Sequence, residues 1–187
     1  IEDMGIIRCI PGMTIISPSD AGQALKAFYA SWTLNKPVYI RFTGGLNCPV
    51  IYEQEFNYQI GKGIRLREGN QIQIIATGSM VDRALKAAKI LEEKGISVDV
   101  VDMHTIKPLD TDILKKDVKL VVSVEEHSII GGLGSAIAEA LSTYSVHAPL
   151  LRLGIGDYFS QVGEYEYLLE QHGLSPEHIA NTIENNL

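Results

Sequence analysis

A mainly parallel α/β sheet flanked by helices is the fold class this sequence of 187 residues predicts, on three observations. Short apolar, β-branched runs alternate with amphipathic stretches along most of the chain, the order that builds a parallel sheet covered on both faces. Cap and turn signals stand between the two kinds of segment. Hydrophobic residues make up 45% of the chain, enough for one full domain and part of another.

The first strand is Met13 to Ser17 (MTIIS), stopped by Pro18. Ser19 or Asp20 caps the helix that follows, where Ala24, Leu25, Phe28 and Trp32 recur at helical spacing. Asn35, Lys36 and Pro37 turn the chain into a second strand, Val38 to Phe42 (VYIRF), completing a βαβ unit. From Thr43 to Asn57, glycines, Pro49 and polar residues break any period, which reads as a linker. Beyond it come strand-like runs Ile60 to Leu66 and Gln71 to Ala76, then a long helix with Val81, Leu85, Ala88 and Leu91 on one face, ending near Gly95. The pattern continues with strand Val98 to Val101, a short helix near Asp110 to Lys116, strand Lys119 to Val124, helix Leu133 to Thr143 and strand Leu150 to Leu153. Two terminal helices close the chain, Tyr165 to His172 and Glu177 to Asn186, the second introduced by Ser175 as cap and Pro176 as first helical residue.

A net charge of −7, with no basic cluster, excludes a surface built to neutralise nucleic-acid phosphates. Cys9 and Cys48 form neither a CxxC pair nor a disulfide framework, so a reducing, cytoplasmic setting is expected. No apolar run approaches the roughly 20 residues of a membrane-spanning helix. The chain opens on Ile1, within a stretch (IEDMGIIRCIPGM) that reads as the middle of a domain, and is therefore taken as a section of a longer protein.

Gly131, Gly132 and Gly134 lie between a strand and a helix, where backbone amides cradle anions in dinucleotide sites. The third glycine of that fingerprint would fall at Ile137, and close helix packing or a sharp turn accounts for the cluster as well. Glu125, Glu126 and His127 follow the same strand at the carboxyl edge of the sheet. A carboxylate beside an imidazole suits proton transfer; a solvated loop or a subunit contact is the alternative. His104 precedes Pro108 in what reads as a turn, and His147, His172 and His178 lack the spacing of metal ligands. Neither a Gly-x-Ser-x-Gly elbow nor a phosphate loop is present.

Three stretches together resemble the transketolase family, which includes deoxyxylulose-phosphate synthase and the β subunits of 2-oxo acid dehydrogenases. They are IEDMGIIRCIPGMTIISPSD, similar to the end of that family's pyrimidine-binding domain; IATGSMVDRALKAAKIL with VDMHTIKPLD; and VVSVEEHSIIGGLGSAIAEAL followed by LGIGDYF. The resemblance implies that residues 1–57 are the C-terminal part of a pyrimidine-binding domain plus linker, and 58–187 the transketolase C-terminal domain. It implies a parent enzyme that transfers a two-carbon ketol unit between sugars, using thiamine diphosphate and Mg2+, as a dimer. A diphosphate-binding domain or subunit would be its partner, and sugar phosphates its substrates.

By the same resemblance the diphosphate domain and the glutamate that activates the cofactor precede Ile1. The section then carries no catalytic, cofactor-binding or metal residues and is inactive alone. The family's phosphate-holding arginine would align with Gly44, which leaves Arg41 and Arg8 as the candidate substrate-binding cations and opens the door to an unusual sugar. The alternatives are a section of a 2-oxo acid dehydrogenase β subunit or deoxyxylulose-phosphate synthase, or a non-catalytic assembly module.

Overall fold

The computed structural model describes residues 1–43, 48–115 and 117–187. In chain order its elements are α1 (Asp3–Arg8), β1 (Thr14–Ile16), α2 (Ala21–Ser31), β2 (Val38–Ile40), β3 (Ile64–Arg67), β4 (Ile72–Ala76), α3 (Met80–Glu93) and β5 (Val98–Asp102). There follow β6 (Thr105–Lys107), β7 (Leu120–Ser128), α4 (Leu133–Leu141), β8 (Leu150–Ile155), α5 (Tyr165–Gln171) and α6 (Pro176–Glu184). Five strands form one sheet in the order β3-β5-β4-β7-β8, parallel except for β3 at its edge. A second sheet has the order β2-β1-β6, with β2 parallel and β6 antiparallel to β1.

Central strands β4 and β5 are buried at every residue. On one face of the large sheet Ile72, Ile74, Val98, Val100 and Val122 pack against Val81, Ala84, Ala88 and Leu91 of α3 and Ile179 and Ile183 of α6. On the other face Ile75, Val101 and Val121 share a core with Leu133 and Ile137 of α4, and also with Met4 of α1, Ile15 of β1 and Ile106 of β6. The small sheet is thus packed into the hydrophobic core of the large one. Burying an aliphatic side chain of this size contributes about 1.5–3 kcal/mol, so Met4 and Ile15 anchor the N-terminal elements firmly.

Several local expectations are corrected. Residues 110–115 form a turn, with residue 116 outside the described chain, where a short helix was expected. The reason lies in where the backbone donors go: Asp110 accepts the N–H of Asp112 at 3.3 Å and Gly63 at 3.0 Å, and Lys115 N–H donates to Gln73 Oε1 at 2.8 Å. Donors spent on side chains cannot build a helical ladder. The strand expected to end at Val124 runs on to Ser128, with its register shifting between those residues, so Glu125, Glu126 and His127 lie within β7. His104 leads into β6, a strand held by its pairing with β1. In α2 the buried residues are Gln23 and Ala27, while Leu25, Phe28, Tyr29 and Trp32 face outward, Trp32 being 74% exposed. The large apolar residues that recur at helical spacing lie on the outer surface of that helix.

Candidate functional site

Open α/β sheets place ligands beyond the carboxyl ends of their strands, and three polar clusters lie at or near those ends. The first caps the small sheet. Asp20 N-caps α2 by accepting Gln23 N–H through Oδ1 at 2.7 Å, while its Oδ2 accepts Ile51 N–H at 2.9 Å and Tyr52 N–H at 3.0 Å. Asp102, fully buried at the end of β5, receives Ser19 Oγ, Gln23 Nε2 and the Tyr52 hydroxyl on one oxygen, each at 2.8 Å. Its other oxygen has no partner among the described residues. Burial outweighs those three donors and pushes the Asp102 carboxyl up to about 6. The same carboxylate and burial raise the Tyr52 hydroxyl far above its ordinary range, keeping it a donor. Two carboxylates thus tie α2, the segment around Tyr52 and the large sheet together. A cavity of about 160 Å3 opens beside them, lined by Pro18, Asp20, Ala24, Phe42, Thr43 and Cys48.

The second cluster joins α1 to β7 and α4. Glu125 is fully buried and accepts Leu133 N–H at 2.7 Å and Gly134 N–H at 2.8 Å, two of the unsatisfied donors at the start of α4. Burial nevertheless wins over those donors, and the carboxyl is pushed up to about 7. His127, also fully buried, lies with Nδ1 2.7 Å from Ser128 O, and its Nε2 accepts Gly5 N–H at 3.2 Å. Those partners require a proton on Nδ1 and a neutral ring; burial, which lowers its pKa, favours the same form. The glycines weighed as an anion cradle against close packing are filled by protein: a Cβ on Gly132 would stand 2.0 Å from Glu125 Oε2, and one on Gly131 2.9 Å from Gly5 Cα. Close approach of helix, strand and side chain is what these glycines permit.

The third cluster is at the end of β7, where Glu126 Oε2 accepts the hydroxyls of Ser79 and Tyr165, the latter at 2.6 Å. It borders a cavity of about 200 Å3 formed with Ile155, Ser160, Leu168 and His172.

Both candidate arginines are engaged by carboxylates. Arg8 grips Glu139 in a fork, Nη1 to Oε2 at 2.8 Å and Nη2 to Oε1 at 2.5 Å, and its Nε donates to Gly131 O at 2.8 Å. Arg41, 9% exposed, donates from Nε to Asp3 Oδ2 at 2.8 Å, an oxygen that also accepts the Tyr39 hydroxyl at 2.9 Å. Gly44 lies outside the described residues. The histidines are dispersed. His104 is stacked under Tyr58 at 4.4 Å with Nδ1 2.9 Å from Thr105 Oγ1, and burial drives its pKa down to about 4. His172 meets Tyr158 and Ser160, and His178 meets Ser175 and Glu170. Among the described residues no three His, Cys, Asp or Glu side chains gather as a metal site, and Asp20, Glu125, Glu126 and one oxygen of Asp102 accept protein donors. With these oxygens bound by protein donors, the donor set does not fit Mg2+.

Sequence reasoning missed the cluster on Asp102, whose members are 50 to 83 residues from it along the chain. The available signal was a carboxylate closing an otherwise apolar strand, Val98–Asp102.

Comparison with known proteins gives consistent findings. The family profile described as "Transketolase, C-terminal domain" matches residues 61–179. A Methanocaldococcus jannaschii protein, provisionally named a transketolase C-terminal section, is 44% identical over 97% of this chain and 58% of its own length. The 6-deoxy-6-sulfo-D-fructose transketolase subunit SqwH of a Clostridium species is 42% identical over 96% of this chain and 56% of its own. A 1-deoxy-D-xylulose-5-phosphate synthase from Caldanaerobacter subterraneus is 39% identical over 98% of this chain and 30% of its own. The solved structure described as a split gene transketolase, inactive β4 tetramer, superposes with a TM-score of 0.87 at 35% identity, over 99% of this chain and 60% of that one. The chain therefore spans little more than half the length of even the shorter relatives.

Proposed function

Because the chain belongs to the transketolase C-terminal domain family, matched over residues 61–179, we propose that it is the C-terminal section of a thiamine diphosphate-dependent enzyme moving a two-carbon ketol unit between sugars. The observation that carries this reading is likeness over nearly the whole chain, 96% of it, to a relative named as a transketolase subunit. In this reading residues 1–57 end a pyrimidine-binding domain and 58–187 form the C-terminal domain. Thiamine diphosphate and Mg2+ are held by a separate diphosphate-binding domain or subunit, where the cofactor supplies the carbanion chemistry. The part of this chain is to position. Asp20 and Asp102 fix the start of α2 and the segment around Tyr52 against the large sheet. Arg8 and Arg41 act on substrate binding through their pairs, by holding α1 and the end of β2 in place.

The outward stripe of α2 is the surface we assign to subunit contact. Phe28, Tyr29 and Trp32 lie 5.6 to 6.2 Å apart, centroid to centroid, on a helix face of the kind that interfaces bury. A dimer, alone or joined to the diphosphate-binding partner, fits that surface. The sulfo-sugar transketolase among the relatives, with glycine at position 44 here, favours a sugar other than the usual phosphate as substrate. A cytoplasmic setting fits the two free cysteines, and no helix among the described residues is long and apolar enough to cross a membrane.

A second reading is a section of deoxyxylulose-phosphate synthase, favoured by the 39% identical relative. Assay of the complete enzyme with thiamine diphosphate and Mg2+ separates the two. Ketol transfer from a ketose to an aldose supports the first; condensation of pyruvate with an aldose, without ketose turnover, supports the second; neither activity leaves a non-catalytic assembly module.

A further inference from the structure

We propose that the crevice between the carboxyl ends of β4 and β7 is a binding site for a small organic cation, an ammonium group carried on a single ring or a branched hydrocarbon, with Glu126 as its anchor. In the order β3-β5-β4-β7-β8, β4 leads through α3 to β5 on one side, and β7 leads through α4 to β8 on the other. Neighbouring strands whose connections leave in opposite directions open a crevice at their carboxyl ends, the place where open α/β sheets take ligands. Pairing of these two strands ends at Ala76 with Val124. Glu126 stands just beyond, and its Oε2 accepts the hydroxyls of Ser79, at the start of α3, and Tyr165, at the start of α5. Its Oε1 receives no hydrogen bond from the described residues.

The cavity of about 200 Å3 beside Glu126 is walled by Ile155, Leu168 and Leu169. An apolar cavity of about 150 Å3 holds benzene, so this one takes one ring with a short side chain. Ser160 and His172, also in its lining, satisfy each other at 2.8 Å. Neither lysine nor arginine lines it. Arg83, whose charge reaches Tyr165, is held by both oxygens of Glu166 at 2.7 and 2.8 Å, and the amino group of Ile1 is drawn to Glu2 at 3.3 Å. A phosphate or carboxylate would therefore meet Glu126 with no free cation to offset it. A sugar would bring several hydroxyls against aliphatic walls that offer them no partner. An ammonium group instead donates to Oε1 in a charge-assisted hydrogen bond, roughly twice as strong as a neutral one, while the hydrocarbon it carries leaves water.

The test is calorimetric titration of the complete protein, at pH 7 and low salt, with three probes: 2-phenylethylamine, its uncharged counterpart 2-phenylethanol, and the anion phenylacetate. The amine is expected to bind once per chain and about 10-fold or more tightly than the alcohol, the factor one hydrogen bond to a charged group supplies. Glu126→Gln is expected to weaken the amine by about 10-fold and to leave the alcohol unchanged. Leu168→Trp fills the cavity but keeps the carboxylate, and is expected to abolish binding of both; it tests the site even if the first variant does not fold, which urea unfolding reports. Equal affinity for the three probes, amine binding that survives either substitution in a folded variant, or no saturable amine binding would overturn the proposal.

Discussion

Replacing Glu125 by Gln reports directly on the energetics of the α1–β7–α4 junction. The wild-type carboxylate is fully buried and receives two backbone N–H groups at 2.7 and 2.8 Å. Its folded pKa is raised from the ordinary 4.5 to about 7. A carboxyl with a raised folded pKa binds its proton more tightly folded than unfolded, so its contribution to stability is present at low pH and declines as pH rises from about 4.5 to about 7. The interval, at about 1.4 kcal/mol per pH unit, amounts to roughly 3 kcal/mol. Glutamine has no titration but only one acceptor, leaving Leu133 or Gly134 N–H facing its amide, at a cost of about 1–3 kcal/mol at every pH. Asp102 and His104 also titrate with folding, in opposite directions, and both cancel in the difference between variant and wild type. Urea unfolding at pH 5 and pH 8 is the assay. Wild type is expected to be the more stable at pH 5, and the gap to close or invert by pH 8, a relative change of roughly 3 kcal/mol. A gap that is unchanged, or that widens as pH rises, would refute the argument that burial dominates at Glu125.

Three further predictions concern neighbouring groups. Gly132→Ala places a methyl 2.0 Å from Glu125 Oε2 and 2.6 Å from His127 Nδ1, and is expected to cost roughly 2–4 kcal/mol in urea unfolding; a neutral effect would mean that α4 shifts freely. Arg41→Met leaves Asp3 with the Tyr39 hydroxyl as its remaining side-chain donor. The expected loss is about 1–3 kcal/mol at neutral pH. Burial works against the Asp3 carboxylate, but hydrogen bonds from Arg41 and Tyr39 hold its pKa below the ordinary value. Its stabilisation is therefore present above the unfolded pKa and fades as pH falls through the folded one, so the cost of Arg41→Met should shrink in acid; a cost that is constant with pH would point to lost packing. Tyr52→Phe removes one of three donors to Asp102, with an expected loss of about 1–2 kcal/mol. The fall in stability as pH rises through the Asp102 titration should then extend above about 6, measured by unfolding between pH 5 and pH 8.

Legibility of the sequence followed the range of the interactions. Strand β4 and helix α3 could be read because their signals are local: an apolar run, a helical period and a glycine stop. Asp20 was readable as a cap for the same reason. Strand β6 has three residues and is specified by pairing with β1 some 90 positions away, and α1 has six residues with no side-chain cap, so neither announces itself locally. Helix α2 was readable as a helix but not in its orientation, because helical spacing shows which face is apolar and is silent on what covers it; here Gln23 is drawn inward by Asp102 and the aromatic face is left outside. Family membership was readable from three ordered stretches. The engagement of Arg8 by Glu139 and of Arg41 by Asp3 was not, since each pair joins residues far apart in sequence.

The most direct test of the central claim is to supply the complete protein with a purified diphosphate-binding partner and measure two-carbon transfer from a ketose to an aldose. The account predicts turnover only when both proteins, thiamine diphosphate and Mg2+ are present together. Turnover by the partner alone, or no ketol transfer and no pyruvate condensation from the reconstituted pair, would contradict it.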